Sequence, residues 1–323
     1  MSHHARARTV RRIGGQRIAA WIGAAVVLIA LIAGILIWSP WSADTPDATP
    51  GQVTGALDSV AVSGRVGATP VVDIERDLEV NSLKARAVEV GEGRTITEGS
   101  PVLLSITTFD GTTGENLSPD GRPDLVVGTA TEERLGSGLA QIVIGHTEGT
   151  RLLALHPVDT ASAKTRIEVN VVDILGTIAY GAEEADADSG ALHVAMRDEG
   201  PVITHAQEVP GGLTTQTLIK GDGVQLRDGD QIVAQFTVVG WTDGVVRSST
   251  WQTGMPELIV LSDAMVGLQE ALVDQRVGSR LAISIPPDLA TGDDTLCVVI
   301  DLLGTEPGSR QGASGGSAAE QSS

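Results

Sequence analysis

Val172-Asp-Ile-Leu-Gly-Thr177 returns, with only like-for-like changes, as Ile300-Asp-Leu-Leu-Gly-Thr305, and that return decides how the chain is read. Working outward, Gly149-Thr-Arg-Leu152 returns as Gly278-Ser-Arg-Leu281, Pro157 as Pro286, and Gly138-Leu139 as Gly267-Leu268. Further back, Gly91-Glu-Gly93 followed by Glu98-Gly99 matches Gly221-Asp-Gly223 followed by Asp228-Gly229. The offset stays between 128 and 130 throughout. Order, spacing and residue class held over six landmarks mean a tandem duplication, so the chain body is two copies of one module. A weaker match opens each copy, at Thr69-Pro70-Val71-Val72 and Gly200-Pro201-Val202-Ile203.

Between the landmarks the pattern is that of strands. Ile232, Ala234, Phe236 and Val238 alternate with Val233, Gln235 and Thr237, and Leu281, Ile283 and Ile285 alternate with Ala282 and Ser284. A period of two buries one face of a sheet. Residues 296–300 are continuously apolar, which predicts a central strand covered on both faces. Met265, Leu268 and Leu272 recur at three- and four-residue spacing, as do Leu135, Leu139, Ile142 and Val143 in the first copy. That spacing predicts one short helix lying across each sheet. Each copy is therefore expected to be α+β, a twisted antiparallel β-sheet with one short helix packed across it.

The chain has 323 residues, enough for roughly two domains of ~150 residues once non-globular parts are set aside. Five arginines (Arg6, Arg8, Arg11, Arg12, Arg17) precede the first acid, Asp44; beyond them 17 bases face 41 acids, a net charge of −24. So negative a body lacks the basic groove that tracking phosphates requires, and no nucleic-acid partner is expected. A single cysteine, Cys297, allows neither an intrachain disulfide nor a multi-cysteine metal centre. His146, His156, His193 and His205 stand at no metal-ligand spacing, so no metal or other cofactor is expected. Glu183, Glu184, Asp186 and Asp188 lack the alternation and closing glutamate of a calcium loop. Gly312-Ala-Ser314-Gly-Gly316 has the letters of a nucleophile elbow without the strand and helix that hold one.

Residues 18–38 (IAAWIGAAVVLIALIAGILIW) contain no charge. At ~1.5 Å per residue such a helix spans the ~30 Å hydrocarbon core of a bilayer. The arginines before it, Asp44, Asp47 and Asp58 after it, and Trp21, Trp38 and Trp41 near its ends fit the positive-inside rule and the aromatic belt. The expectation is a single-pass transmembrane helix in the cell membrane with the body on the extracytoplasmic side. The rival is a cleavable signal peptide ending near Ser42-Ala43, for which the apolar run is longer than usual. The expected organisation is a basic cytoplasmic N-terminus (1–17), the transmembrane helix (18–38), a disordered linker (39–57), a first unit (58–180), an acidic linker (181–189), a second unit (190–305) and a disordered tail (306–323).

The second copy carries, in order, Lys220-Gly-Asp-Gly223, Arg227-Asp-Gly-Asp230, Asp243-Gly244, Ser248-Ser249-Thr250-Trp251, Gly254-Met-Pro256, Gly267-Leu-Gln-Glu-Ala-Leu272, Val277-Gly-Ser-Arg280, Ile285-Pro-Pro287 and Ile300-Asp-Leu-Leu303. Over residues 218–305 this resembles an FKBP-type peptidyl-prolyl cis-trans isomerase, of the membrane-anchored bacterial type with two tandem units. The first copy is similar to the same family more faintly, through Gly91-Glu-Gly93, Gly111-Thr-Thr-Gly114, Gly138-Leu139, Gly149-Thr-Arg151 and Val171-Val-Asp-Ile-Leu175. The resemblance implies a rotamase that acts on X-Pro segments of extracytoplasmic proteins as a folding factor. No bond is broken, so it needs no nucleophile, metal or cofactor. The family's pocket has a tryptophan floor and walls of tyrosine, phenylalanine and aspartate.

Matching position by position, Phe236 stands for the strand tyrosine, Met265 for the isoleucine before the Gly-Trp pair, Leu268 for the floor tryptophan and Val298 for the aromatic of the last strand. These form the implied prolyl pocket. The Phe-Asp pair falls on Arg247 and Ser248 and the tyrosine after the Pro-Pro turn on Thr291, the implied substrate contacts; Trp251, one of two large rings in an aromatic-poor domain, is a further expected peptide contact. Nearly all of the family's flap loop is missing between Gly292 and Thr295. In the first copy the matching positions are Ile106, Leu117, Ser118, Leu139 and Asn170, none aromatic, so that copy is expected to be non-catalytic. Three readings stay open: an isomerase weakened by the loss of rings is the first, and a non-catalytic chaperone or protein-docking ectodomain using exposed strand edges and the Trp241/Trp251 area is the second. A spacer that presents nothing is the third.

Overall fold

The structure is a computed structural model, and it describes residues 55–159, 165–185 and 190–306. The expected membrane span, most of the linker before the first unit and the C-terminal tail beyond Glu306, which ends the last strand, lie outside the described residues. Among the described residues no helix is long and apolar enough to cross a membrane.

Each copy begins with a β-hairpin. In the first, β1 (Val60–Ser63) pairs antiparallel with β2 (Val71–Ile74). The sheet follows, with β3 (Lys84–Glu89), β4 (Pro101–Asp110), β5 (Asp124–Thr129), the helices α1 (Glu132–Leu135) and α2 (Ser137–Val143), then β6 (Arg151–Asp159) and β7 (Thr165–Leu175). Its strands lie in the order β3-β6-β7-β4-β5, all antiparallel. A short strand β8 (Ala182–Glu183) leads to the second hairpin, β9 (Leu192–Arg197) and β10 (Gly200–His205). The second sheet is built from β11 (Thr214–Lys220), β12 (Gln231–Gly240), β13 (Val246–Ser249), β14 (Glu257–Val260), helix α3 (Val266–Leu272), β15 (Arg280–Ile285) and β16 (Leu296–Glu306). Its order, β13-β12-β16-β15-β11-β8 with β14 also on β12, contains the strand order of the first sheet. The duplication read from the sequence is thus a duplication of topology.

Each sheet is covered on both faces. On one face of the second sheet Leu281, Ile283, Val298 and Ile300 pack with Leu268 and Leu272 of α3. On the other, Ala282, Cys297 and Val299 pack with Leu192, Val194 and Ile203 of the β9–β10 hairpin. Two-sided burial is why residues 296–300 read as an unbroken apolar run, as expected of a doubly covered central strand. The first sheet repeats this, with Leu152 and Val172 toward the helices and Leu153, Val169 and Val171 toward Val60, Val62 and Val72 of its hairpin. The hairpins are an addition to the expected one-helix, one-sheet design. The weak Pro-Val match before each copy falls on them, on the start of β2 and on β10.

Two further expectations are corrected. Leu135 does not continue the helical stripe of Leu139, Ile142 and Val143, because Gly136 at φ +77° breaks the segment into α1 and α2. A side chain at that φ is strained and glycine is not, so the break is local in origin. The acidic stretch 181–189 is not linker throughout: Ala182 and Glu183 pair with Lys220 and Ile219 of β11.

The described residues form one compact body. Leu103, Leu175 and Leu125 of the first copy meet Val233 and Leu303 of the second in a single apolar cluster. Gly304 is needed at this seam, since a Cβ there would lie 2.9 Å from Leu125 Cδ1.

Candidate functional site

The face of the second sheet that carries α3 is where the expected pocket residues gather. Val298 and Leu268 are buried in its core, and Phe236 and Met265 lie half-buried over them. Phe236 is held by its backbone, its N–H donating to Thr250 Oγ1 at 2.9 Å. Met265 is the residue at the N-terminal boundary of α3, and Gly267 just behind it lets the helix sit on the turn after β15. A Cβ on Gly267 would lie 2.4 Å from Ile285 Cγ2, and its N–H donates to the Leu289 carbonyl at 2.9 Å. The structure so brings together Phe236, Met265, Leu268 and Val298, and adds Ile259, Leu289 and Ala290, which are also half-buried on the same core. Sequence reasoning missed these three; the signal available was the apolar run of residues 258–261 and the apolar pair Leu289-Ala290 where the chain returns after Pro286-Pro287.

The expected substrate contacts separate. Thr291 and Ser248 are exposed. Arg247 donates to Asp243 Oδ2 at 2.8 Å and approaches Asp294 Oδ2 at 3.7 Å. The Asp294 carboxylate also accepts from Thr242 Oγ1 at 2.8 Å, so the short loop that stands where the family has its flap is tied to the β12–β13 hairpin. The Val245 N–H, and then Arg247, hold the Asp243 carboxyl below the usual carboxylate range. Trp251 lies on the other face of the sheet. Arg280 alternates with Leu281 and so points away from α3, and its Cζ is 5.9 Å from the centre of the Trp251 ring. A Cβ on Gly200 of β10 would lie 2.7 Å from Trp251 Cβ, so the ring is clamped under the hairpin. Trp241, expected to be partly exposed, is 5% exposed and lies with its ring 4.1 Å from that of His205, because the hairpin covers it. Of the Trp241/Trp251 docking area, Trp241 is thus closed off, while Trp251 is half-buried.

Behind the site, Arg280 and Asp301 form a buried bidentate pair, at 2.6 and 2.7 Å, and Asp301 also accepts the Ala179 N–H at 2.7 Å. Arg151 and Asp173 do the same in the first copy, where Arg151 also donates to the Gly64 carbonyl at 2.7 Å. Burial pushes the Cys297 thiol up to about 12, so it is no nucleophile at neutral pH. In the first copy Ile106 and Leu139 are half-buried on the helix side, while the Ser118 hydroxyl accepts the Thr108 N–H and Asn170 accepts the Thr108 hydroxyl. Among the described residues no cluster of His, Cys, Asp or Glu could hold a metal ion. A polar cleft of about 460 Å³, lined by residues such as Lys220, Arg276 and Ser279, shares none of the pocket residues.

No family model matches the chain. It is 28% identical over 103 residues to a "probable FK506-binding protein" of Corynebacterium glutamicum, a match covering 29% of this chain and 87% of that one. It is 29% identical over 111 residues to the outer membrane protein MIP of Legionella longbeachae, covering 34% of this chain and 46% of that protein. Each match is about as long as one copy of the repeat. Among solved structures, FkpA from Escherichia coli aligns with a TM-score of 0.28 at 24% identity, over 35% of this chain and 52% of that one. The three FKBP domains of wheat FKBP73 align with a TM-score of 0.26 at 14% identity, over 70% and 95%.

Proposed function

We infer that this chain, which carries a module of the FKBP-type peptidyl-prolyl isomerase family, uses the α3 face of its second copy to turn X-Pro bonds in polypeptides. The observation that supports the site is the half-buried set Phe236, Met265, Leu289 and Ala290 over the Leu268–Val298 core, an apolar surface left open beside a helix end. Rotation about an X-Pro bond faces a barrier of ~18–20 kcal/mol from amide resonance, while the end states differ by only ~0.5–1 kcal/mol. A hollow that strips water from the prolyl ring and fits the twisted, less resonant amide lowers that barrier without forming any bond. Each ~1.4 kcal/mol of such selectivity gives about a tenfold rate. Among the described residues Phe236 is the one aromatic ring at this surface, so the turnover proposed is weak. The finer reading places the modules outside the cell, tethered by residues 18–38, with emerging or secreted chains as clients.

NMR exchange spectroscopy on an X-Pro peptide tests it. The full chain is expected to speed cis-trans exchange, and Leu268→Trp to speed it further while lowering stability by about 1–3 kcal/mol through overpacking. No acceleration by either protein refutes turnover. The loss of rings at the floor favours the second reading, a non-catalytic binder on the same scaffold, which predicts suppressed aggregation of an unfolded client with no change in exchange rate.

A further inference from the structure

Apart from Phe236, the apolar contributors named on the open side of the α3 face each have a carboxylate beside them. In β14, Glu257 stands opposite Ala234 and Ile259 opposite Ile232. Residues directly opposite in an antiparallel pair share a face, and Ala234 and Ile232 both belong to the core under α3, so Glu257 rises from the same face as the half-buried Ile259. Asp263 precedes Ala264 and Met265, and Asp288 precedes Leu289 and Ala290, all four half-buried on that core. Asp293 follows in the short loop, exposed. No ion pair reaches Glu257, Asp263, Asp288 or Asp293 among the described residues. The cation in this region, Arg247, is already held by Asp243 and Asp294. Residues 241–295 contain no lysine; Arg280 is buried on the opposite face in its own ion pair, and Arg276 donates to the Gly223 carbonyl beside the separate polar cleft.

We propose that this uncompensated acidic rim sets the substrate class of the hollow: X-Pro segments with lysine or arginine next to the proline. The proposal rests on the prolyl reading of the hollow itself. Apolar contact with the ring supplies the fit, and the surrounding negative charge favours a cationic neighbour in encounter and in the bound state. Exposed charges act over about a Debye length, ~8 Å at physiological salt, so the preference belongs to the residues flanking the proline and fades as salt is added.

The test compares peptides of one length carrying Lys-Pro, Leu-Pro or Glu-Pro. The full chain is used, with affinity read by NMR titration and turnover by exchange spectroscopy at low and high salt. Lys-Pro is expected to bind about five- to tenfold more tightly than Glu-Pro at low salt, with the ratio falling below about twofold at 1 M salt. The combined Glu257→Gln, Asp263→Asn and Asp288→Asn variant is expected to bring the low-salt ratio close to that high-salt value. Equal affinities, a preference for Glu-Pro, or a Lys-Pro preference untouched by salt or by the three substitutions would overturn the proposal. If no peptide exchanges faster, the isomerase reading fails on its own, and the order of affinities still decides the rim.

Discussion

Arg280 and Asp301 show at the scale of single residues what the repeat preserves and why. Both side chains are almost wholly buried, and the guanidinium and carboxylate meet through two hydrogen bonds. Removing one partner from such a pair leaves a buried charge uncompensated, which costs about 3–5 kcal/mol. Asp301→Asn is therefore expected to lower the unfolding free energy by that order in a urea titration. Asp301→Leu with Arg280→Met is expected to recover most of the loss, short of the bond from the Ala179 N–H, a buried donor worth about 1–3 kcal/mol if orphaned. The two aspartates and two arginines were legible as repeat landmarks. That each pair fastens an incoming loop was not, because Gly64 and Ala179 lie 87 and 122 positions from their partners.

At the scale of elements, α3 illustrates how a seven-residue helix is placed without any side-chain cap. Gly267 lets it settle onto Ile285 and Leu289, and Leu268 and Leu272 fill the core below. Gly267→Ala is expected to destabilise the protein by about 1–3 kcal/mol, although alanine is the better helix former, because its methyl would overlap Ile285 Cγ2 at 2.4 Å and crowd Leu289 at 3.2 Å. Thermal unfolding of the variant checks the sign: a rise in Tm would mean that the helix is free to shift. The helix and the strands were readable from periodicity, since 3.6 and 2 are local properties of a few consecutive residues. The hairpins were readable only in part. Val202 and Val71 are exposed, so β10 and β2 carry a mixed pattern that says little until the sheet beneath them is known.

At the scale of the whole molecule, the two copies are joined by an apolar seam whose edge carries two carboxyl groups. Glu306 accepts the Leu125 N–H at 2.7 Å, and burial, then the neighbouring Asp124, outweigh that bond and raise the Glu306 carboxyl above its usual value; burial raises Asp124 likewise. A carboxyl raised in the folded state contributes stability below its unfolded value and loses it as pH climbs through the folded one. The seam is thus weaker at pH 7 than at pH 4. Glu306→Gln, which keeps an acceptor for Leu125, is expected to raise Tm at pH 7 and to change it little at pH 4; calorimetry showing the reverse order would refute this account of the seam. The sequence by itself determined the duplication, the strand alternation and the doubly covered central strand. These follow from short-range patterns and from matching one copy to the other. Only the tertiary structure decided that Trp241 is buried and Trp251 half-buried beneath a hairpin on the far face, that Arg247 is already paired, and that the copies share one core at their seam. Which face a loop residue reaches and which strands meet across the chain depend on contacts distant in sequence, and no local pattern encodes them.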